Sequence, residues 1–247
     1  ELLDSGTPVL FSGGPCQIDG LLRYLGKDYE NLLTCDLVCH GVPSPAVFRA
    51  YAGNLGQSRG ARVTDVRFKD KSHGWSHPYF TARLSDGTVY SEDFNRTPYG
   101  RGFGMQLFLR PSCARCQYTS TSRPADFTLA DYWGLDEKLT LPVERDKGVS
   151  MVLVNSEKGA AVFQALSPDF GQVERPLDEA VAGNPRLASP LKANPRRAAF
   201  FAAFAARPYE KVERDYLSLP SLPYRLAAKA PEQAPAAGVQ QDGGQPV

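Results

Sequence analysis

The chain has 247 residues, 42% of them apolar, and its 28 Lys and Arg against 27 Asp and Glu leave a net charge of +1. A chain of this length hides about 70% of its unfolded surface without disulfide staples, and its even charge offers no basic footprint for a nucleic acid or an anionic membrane surface. The longest apolar run, the nine residues from Ala198 to Ala206, is far short of the ~20 that span a bilayer, so a soluble, cytoplasmic protein is expected, with no nucleic-acid partner and no membrane span.

In chain order, Glu1 to Gly6 reads as the end of a helix already under way, and Glu1 in place of an initiating Met suggests an N-terminally truncated chain. Pro8-Val9-Leu10-Phe11 is a short apolar run closed by Ser12-Gly13-Gly14. Pro15, favoured at a first helical position, opens a helix with Ile18, Leu21, Leu22 and Leu25 at helical spacing, and Gly26 stops it. Leu32 to Cys39 predicts a second strand, the loop His40 to Ser44 follows, and Pro45 begins a helix with Val47, Phe48 and Tyr51 on one face. A strand–helix–strand–helix series with short links predicts parallel strands and right-handed crossovers.

From Arg62 the rhythm changes to alternation over Val63–Phe68, Tyr79–Leu84 and Thr88–Tyr90, with Ser85-Asp86-Gly87 as a hairpin turn. Asp126–Ala130 and Ser150–Asn155 predict two more strands and Lys158–Leu166 a helix. Asn194-Pro195 predicts the start of another helix, which carries Phe200, Phe201 and Phe204. The expected fold class is α/β: a mixed sheet with parallel strand–helix units at the N-terminus, then an antiparallel hairpin region, in one domain over residues 1–225. Residues 226–247, rich in Ala, Pro, Gln and Gly, predict a disordered tail.

The chemistry rests on five cysteines, Cys16, Cys35, Cys39, Cys113 and Cys116. Their odd number, with no secretion signal, argues against a disulfide framework. If the first two strands are parallel neighbours, Cys16 and Cys39 both lie just past carboxyl ends, where open α/β sheets build their sites. Cys35 lies four residues earlier, about 13 Å deeper at ~3.3 Å per residue, and reads as a small core residue. Cys16, Cys39 and the Cys113-x-x-Cys116 pair then form a candidate set of four thiolates, which suits either a cubane 4Fe-4S cluster or tetrahedral zinc. Two other readings stand beside these: Cys16 as a low-pKa nucleophile at a helix N-terminus, and Cys113 with Cys116 as a redox pair.

Five ordered segments carry a resemblance. They are Gly14-Pro15-Cys16-Gln17-Ile18-Asp19-Gly20-Leu21, Asp36-Leu37-Val38-Cys39-His40-Gly41-Val42-Pro43-Ser44-Pro45, Arg110-Pro111-Ser112-Cys113-Ala114-Arg115-Cys116, Asp126-Phe127-Thr128-Leu129-Ala130-Asp131-Tyr132-Trp133-Gly134 and Asp146-Lys147-Gly148-Val149-Ser150. Together they resemble the C-terminal domain of the coenzyme F420 hydrogenase/dehydrogenase beta-subunit family. The sequence departs from that pattern at Gly14, where the family usually has Thr, and at Ala130, where it usually has Gly. Members usually carry a further N-terminal domain, often with ferredoxin-type cysteine runs.

The resemblance implies an oxidoreductase, an iron–sulfur flavoprotein or its electron-transfer subunit. Such a protein passes electrons between a 4Fe-4S cluster, FAD and a deazaflavin or other acceptor, with ferredoxin or a partner subunit as donor or acceptor protein. It implies Cys16, Cys39, Cys113 and Cys116 as the cluster ligands, with part of the FAD site contributed from outside this sequence. His40, Arg123, Asp131 and Trp133 are the candidate cofactor contacts: His40 as a donor to sulfur or flavin, Trp133 by stacking, Asp131 by hydrogen bonding. A zinc-stapled binding module without redox work, and a thiol oxidoreductase built on Cys16, are the rival functions. His73 and His77 read as a surface loop. Gly100-Arg101-Gly102-Phe103-Gly104 lacks the preceding strand and later acidic partner of a dinucleotide fold.

Overall fold

The computed structural model describes residues 1–135 and 144–218. The expected tail from 226, and the domain limit at 225, lie outside the described residues. Strands β1 (Val9–Gly13), β2 (Leu32–Leu37), β6 (Phe127–Asp131) and β7 (Ser150–Val154) form one mixed sheet in the order β1-β2-β6-β7, and β3 (Val63–Asp70), β4 (Tyr79–Leu84) and β5 (Val89–Asp93) form a second. In the first sheet β1, β2 and β6 run parallel and β7 runs antiparallel beside β6. The second sheet is antiparallel throughout, and its β4–β5 hairpin turns at the predicted Ser85-Asp86-Gly87. The expected α/β class, with parallel units first and an antiparallel region after, is the observed one.

Helix α1 (Pro15–Leu25) starts at its proline and ends where Gly26 takes a left-handed φ of 67°, a conformation glycine adopts without steric cost. Helix α2 (Pro45–Gln57) buries Val47, Tyr51 and Leu55. These join Phe80, Phe94, Tyr99, Phe108, Phe200, Val212 and Leu217 in a core between the second sheet and the C-terminal helices α6 (Arg197–Ala206) and α7 (Tyr209–Tyr216). Phe80, Phe108 and Phe200 are fully buried, each worth about 1.5–3 kcal/mol of hydrophobic stabilisation. A smaller core gathers Tyr132, Met151, Ala180 and Leu187 under helix α5 (Leu177–Gly183). Helix α4 (Glu157–Leu166) follows β7, capped by Ser156, whose side chain accepts from the Gly159 amide.

The glycine-rich run at 100–104 belongs to a helix, α3 (Pro98–Gly104), which pattern reading misses because glycine disfavours helices. Close packing explains the residue choice. A Cβ on Gly100 would meet the Phe94 carbonyl at 1.8 Å, and one on Gly102 would meet the Phe108 ring at 2.2 Å. Tertiary packing here overrides local propensity.

Candidate functional site

Parallel pairing brings the carboxyl ends of β1, β2 and β6 to one edge of the sheet, and antiparallel β7 starts at that same edge. Cys16 lies there at the second position of α1, exposed. β2 stops at Leu37, two residues before its predicted end, so Cys39 lies in the loop beyond the strand. Asp131 is the last residue of β6, with Trp133 just past it. Open α/β sheets place their ligands at this edge.

Cys113 and Cys116 arrive from a distant stretch of chain, in and just after the short turn Pro111–Arg115. The loops around Cys39 and Cys113 are bound together: Arg110 N donates to Val42 O at 2.9 Å, and Val42 N donates to Cys113 Sγ at 3.4 Å. Gly41 makes the approach possible. Its φ is +140°, and a Cβ there would come within 2.9 Å of Leu109 and 3.4 Å of the Cys113 Cβ.

Burial pushes the Cys39 thiol pKa up, the Gly41 amide donating to its sulfur pulls it down, and the neighbouring Cys113, Cys16 and Cys116 push it up further. Cys39 is thus within electrostatic reach of all three. The Cys35 thiol is also raised, by burial and by Asp36, with no contribution from the other cysteines. Cys35 is paired inside the sheet with Ser12 on one side and Phe127 on the other. Four cysteines come together, then, and the fifth lies apart. Among the described residues no group of three or more His, Cys, Asp or Glu is placed to hold a metal ion.

Two contacts hold this set in place. Tyr118, two residues past Cys116, donates to Asp19 on α1 at 2.7 Å. Arg123 is turned inward: its side chain is 1% exposed and pairs at 2.8 Å with Asp36, itself fully buried. The same guanidinium donates to the carbonyls of Tyr118 and Leu37 and to Thr128 Oγ1. Arg123 therefore clamps the strand that leads to Cys39 onto the segment that follows Cys116.

The remaining candidates lie along the same edge. Trp133 is 45% exposed and packs on Trp75 at a ring separation of 4.4 Å. Trp75 donates its indole N–H to Asp131 at 3.0 Å, and Lys71 stands 3.8 Å from that carboxylate. Gly148 passes directly under the Trp75 ring. A cavity of about 330 Å³ beside this stack is lined by Lys71, Trp75, Asp146 and Lys147 among others. His40 packs on Phe103 at 4.5 Å with Nε2 facing the Phe103 carbonyl. Burial lowers its pKa, and the charges of Arg186 and Lys69 lower it further against the pull of that carbonyl. Arg186 Nη1 is buried without a hydrogen-bond partner among the described residues. His73, read as a loop residue, stacks on Tyr79 at 4.1 Å.

Sequence reading does not single out Gly41, Val42, Asp36, Trp75 or Arg186. The first three stand inside or next to the Cys39 motif, and Trp75 reads with its neighbouring histidines as a loop; none carries a signal of its own.

Fold and site define an α/β domain with four cysteines gathered near the carboxyl edge of its parallel strands. The family described as the C terminus of the coenzyme F420 hydrogenase/dehydrogenase beta subunit matches residues 6–175, and the chain belongs to that family. A solved structure, of the F420-reducing NiFe hydrogenase complex from Methanosarcina barkeri, contains a chain similar to this one at 15% identity, over 76% of this chain and 65% of that one, with a TM-score of 0.38. This chain thus spans about 65% of the length of that relative. No curated protein matches the sequence. Among the described residues no helix is long and apolar enough to cross a membrane.

Proposed function

We propose that this chain is the cluster-binding part of a cytoplasmic oxidoreductase, an iron–sulfur flavoprotein or its electron-transfer subunit, acting between a redox partner protein and a deazaflavin or other acceptor. The observation that carries the reading is the gathering of Cys16, Cys113 and Cys116 around Cys39, with backbone amides donating to the Cys39 and Cys113 sulfurs. Four thiolates are the donor set of a 4Fe-4S cluster. Membership of the family whose model matches residues 6–175 supports the cubane over a zinc staple. Amide N–H groups donating to sulfur lower the charge felt at the centre, one means by which a protein sets a cluster's potential.

When bound, a 4Fe-4S cluster supplies single-electron transfer and FAD the exchange between single electrons and hydride. Cys16, Cys39, Cys113 and Cys116 hold the cluster. Asp131 and Trp133 provide one stretch of the flavin wall, with Trp75 backing Trp133. His40 offers an imidazole held against Phe103. The unpartnered Arg186 Nη1 is a ready donor for an anionic group such as a cofactor phosphate, and Arg123 serves the site by positioning. Iron and sulfide analysis of the anaerobically purified chain tests the reading. Four of each per chain are expected; one zinc, or no metal, overturns it in favour of a zinc module or a Cys16 thiol enzyme respectively.

A further inference from the structure

Next to Cys113 the surface opens into a cavity of about 290 Å³ whose lining includes four cations, Arg110, Arg115, Lys192 and Arg197, and, among the described residues, no carboxylate. None of the four makes an ion pair among the described residues. Arg197 is held in place by donating to the Leu109 carbonyl at 2.8 Å and packing over the Phe201 ring at 4.5 Å. Arg110, Arg115 and Lys192 are exposed. The chain as a whole carries a net charge of +1, so this is a local excess rather than a general one. The wall also includes Gln106, at φ 56° the one non-glycine residue with positive φ among the described residues. Non-glycine backbone held in this region is strained, and such strain clusters at active sites and ligand clamps.

Like charges crowded together repel unless a partner of opposite sign covers them, and such patches steer and orient association. The chemistry of the lining suggests how large that partner is. Leu109, Pro111 and Leu191 share the cavity with the charged groups, and apolar ground bordered by exposed charge is the make-up of a protein interface. A site for a small anion instead converges several buried donors on one point, and three of these four cations are exposed.

We propose that this basic face is the docking surface for a small acidic redox protein, seated where Cys113 opens to the surface. The purpose of the contact rests on the cluster reading given above, whereas its measurement does not. An acidic 4Fe-4S ferredoxin serves as probe, titrated calorimetrically into the anaerobically purified full chain at about 50 mM and about 300 mM salt, where screening lengths differ by more than twofold. Binding at low salt that weakens at least tenfold at high salt is expected. Joint reversal Arg110→Glu, Arg115→Glu and Lys192→Glu should weaken it at least tenfold at low salt and remove most of the salt dependence. Arg110→Lys, Arg115→Lys and Lys192→Arg together, which keep the charge, should bind within about twofold of the natural chain, and Lys211→Glu on α7 should have no effect.

Absence of binding by the natural chain, or equal binding by the charge-reversed chain, overturns the proposal. So does displacement of the ferredoxin by millimolar inorganic phosphate at constant ionic strength, which would mark a small-anion site. Iron content is read on the same samples. Binding retained by a chain that holds no iron supports the docking face and removes the cluster reading; iron without binding does the reverse.

Discussion

The amide of Val42 donates to the sulfur of Cys113 at 3.4 Å across 71 residues of sequence. That bond joins the loop beyond β2 to the Cys113-x-x-Cys116 turn, and Gly41 is what lets the two approach. With φ at +140° and Leu109 2.9 Å from where a Cβ would stand, Gly41→Ala meets both backbone strain and a clash. We expect a loss of roughly 1–3 kcal/mol in stability together with poorer iron retention. Urea unfolding and iron analysis of the same preparation check it; an unchanged iron content would show that the loop does not organise the centre.

The proposed ligand set has its own test. Cys39→Ser, Cys113→Ser, Cys116→Ser and Cys16→Ser should each abolish or strongly reduce bound iron, because a cubane needs all four corners. Cys35→Ser should leave the iron in place and cost only modest stability, since Cys35 is paired within the sheet between Ser12 and Phe127. Visible absorbance and iron per chain decide the matter. Bleaching by Cys35→Ser with full retention in Cys16→Ser would reverse the assignment.

Arg123 and Asp36 form a buried pair, with side chains 1% and 0% exposed. Asp36 Oδ2 has no hydrogen-bond partner among the described residues, so the carboxylate depends on Arg123 for its compensation. Arg123→Met should cost about 3–5 kcal/mol, the scale for stranding a buried charge. The double change Arg123→Met with Asp36→Leu should restore much of that loss. Denaturation of the singles and the double checks it, and a double mutant no more stable than Arg123→Met would refute it.

Asp126 links stability to pH. Burial pushes its carboxyl up, but bonds from Ser156 and Thr34 and the charge of Lys158 together outweigh burial and hold it below the usual carboxylate range. A pKa lower in the folded than in the unfolded chain, where it is about 3.9, gives stability that is complete above the unfolded value and lost as pH falls through the folded one. Asp126→Asn should therefore lower the melting temperature clearly at pH 7 and progressively less below about pH 4. A deficit of the same size at every pH would contradict this origin.

Much of the frame was legible without coordinates. The proline that starts α1, the Gly26 that ends it, the hairpin at Ser85-Asp86-Gly87 and the placement of Cys16 and Cys39 past parallel strands all rest on local rules of dihedral preference and side-chain period. The separation of Cys35 from the other four followed from the rise of a strand. Three features were not legible, because each depends on contacts between distant segments. Helix α3 forms against its own glycine content, since Gly100 and Gly102 fit where any side chain would strike Phe94 or Phe108. Arg123 sits among residues that suggest a cofactor wall, yet it is drawn inward by Asp36, 87 positions away. Trp75 lies in what reads as a plain loop until Gly148 and Asp131 give its ring a floor and its N–H an acceptor. Sequence by itself determined the strands, the first two helices and the placement of Cys16 and Cys39 past parallel strands, because those follow from short-range geometry. Only the tertiary structure decided what each polar and aromatic side chain touches, because a buried charge or an exposed ring takes its partner from whichever segment the fold brings near.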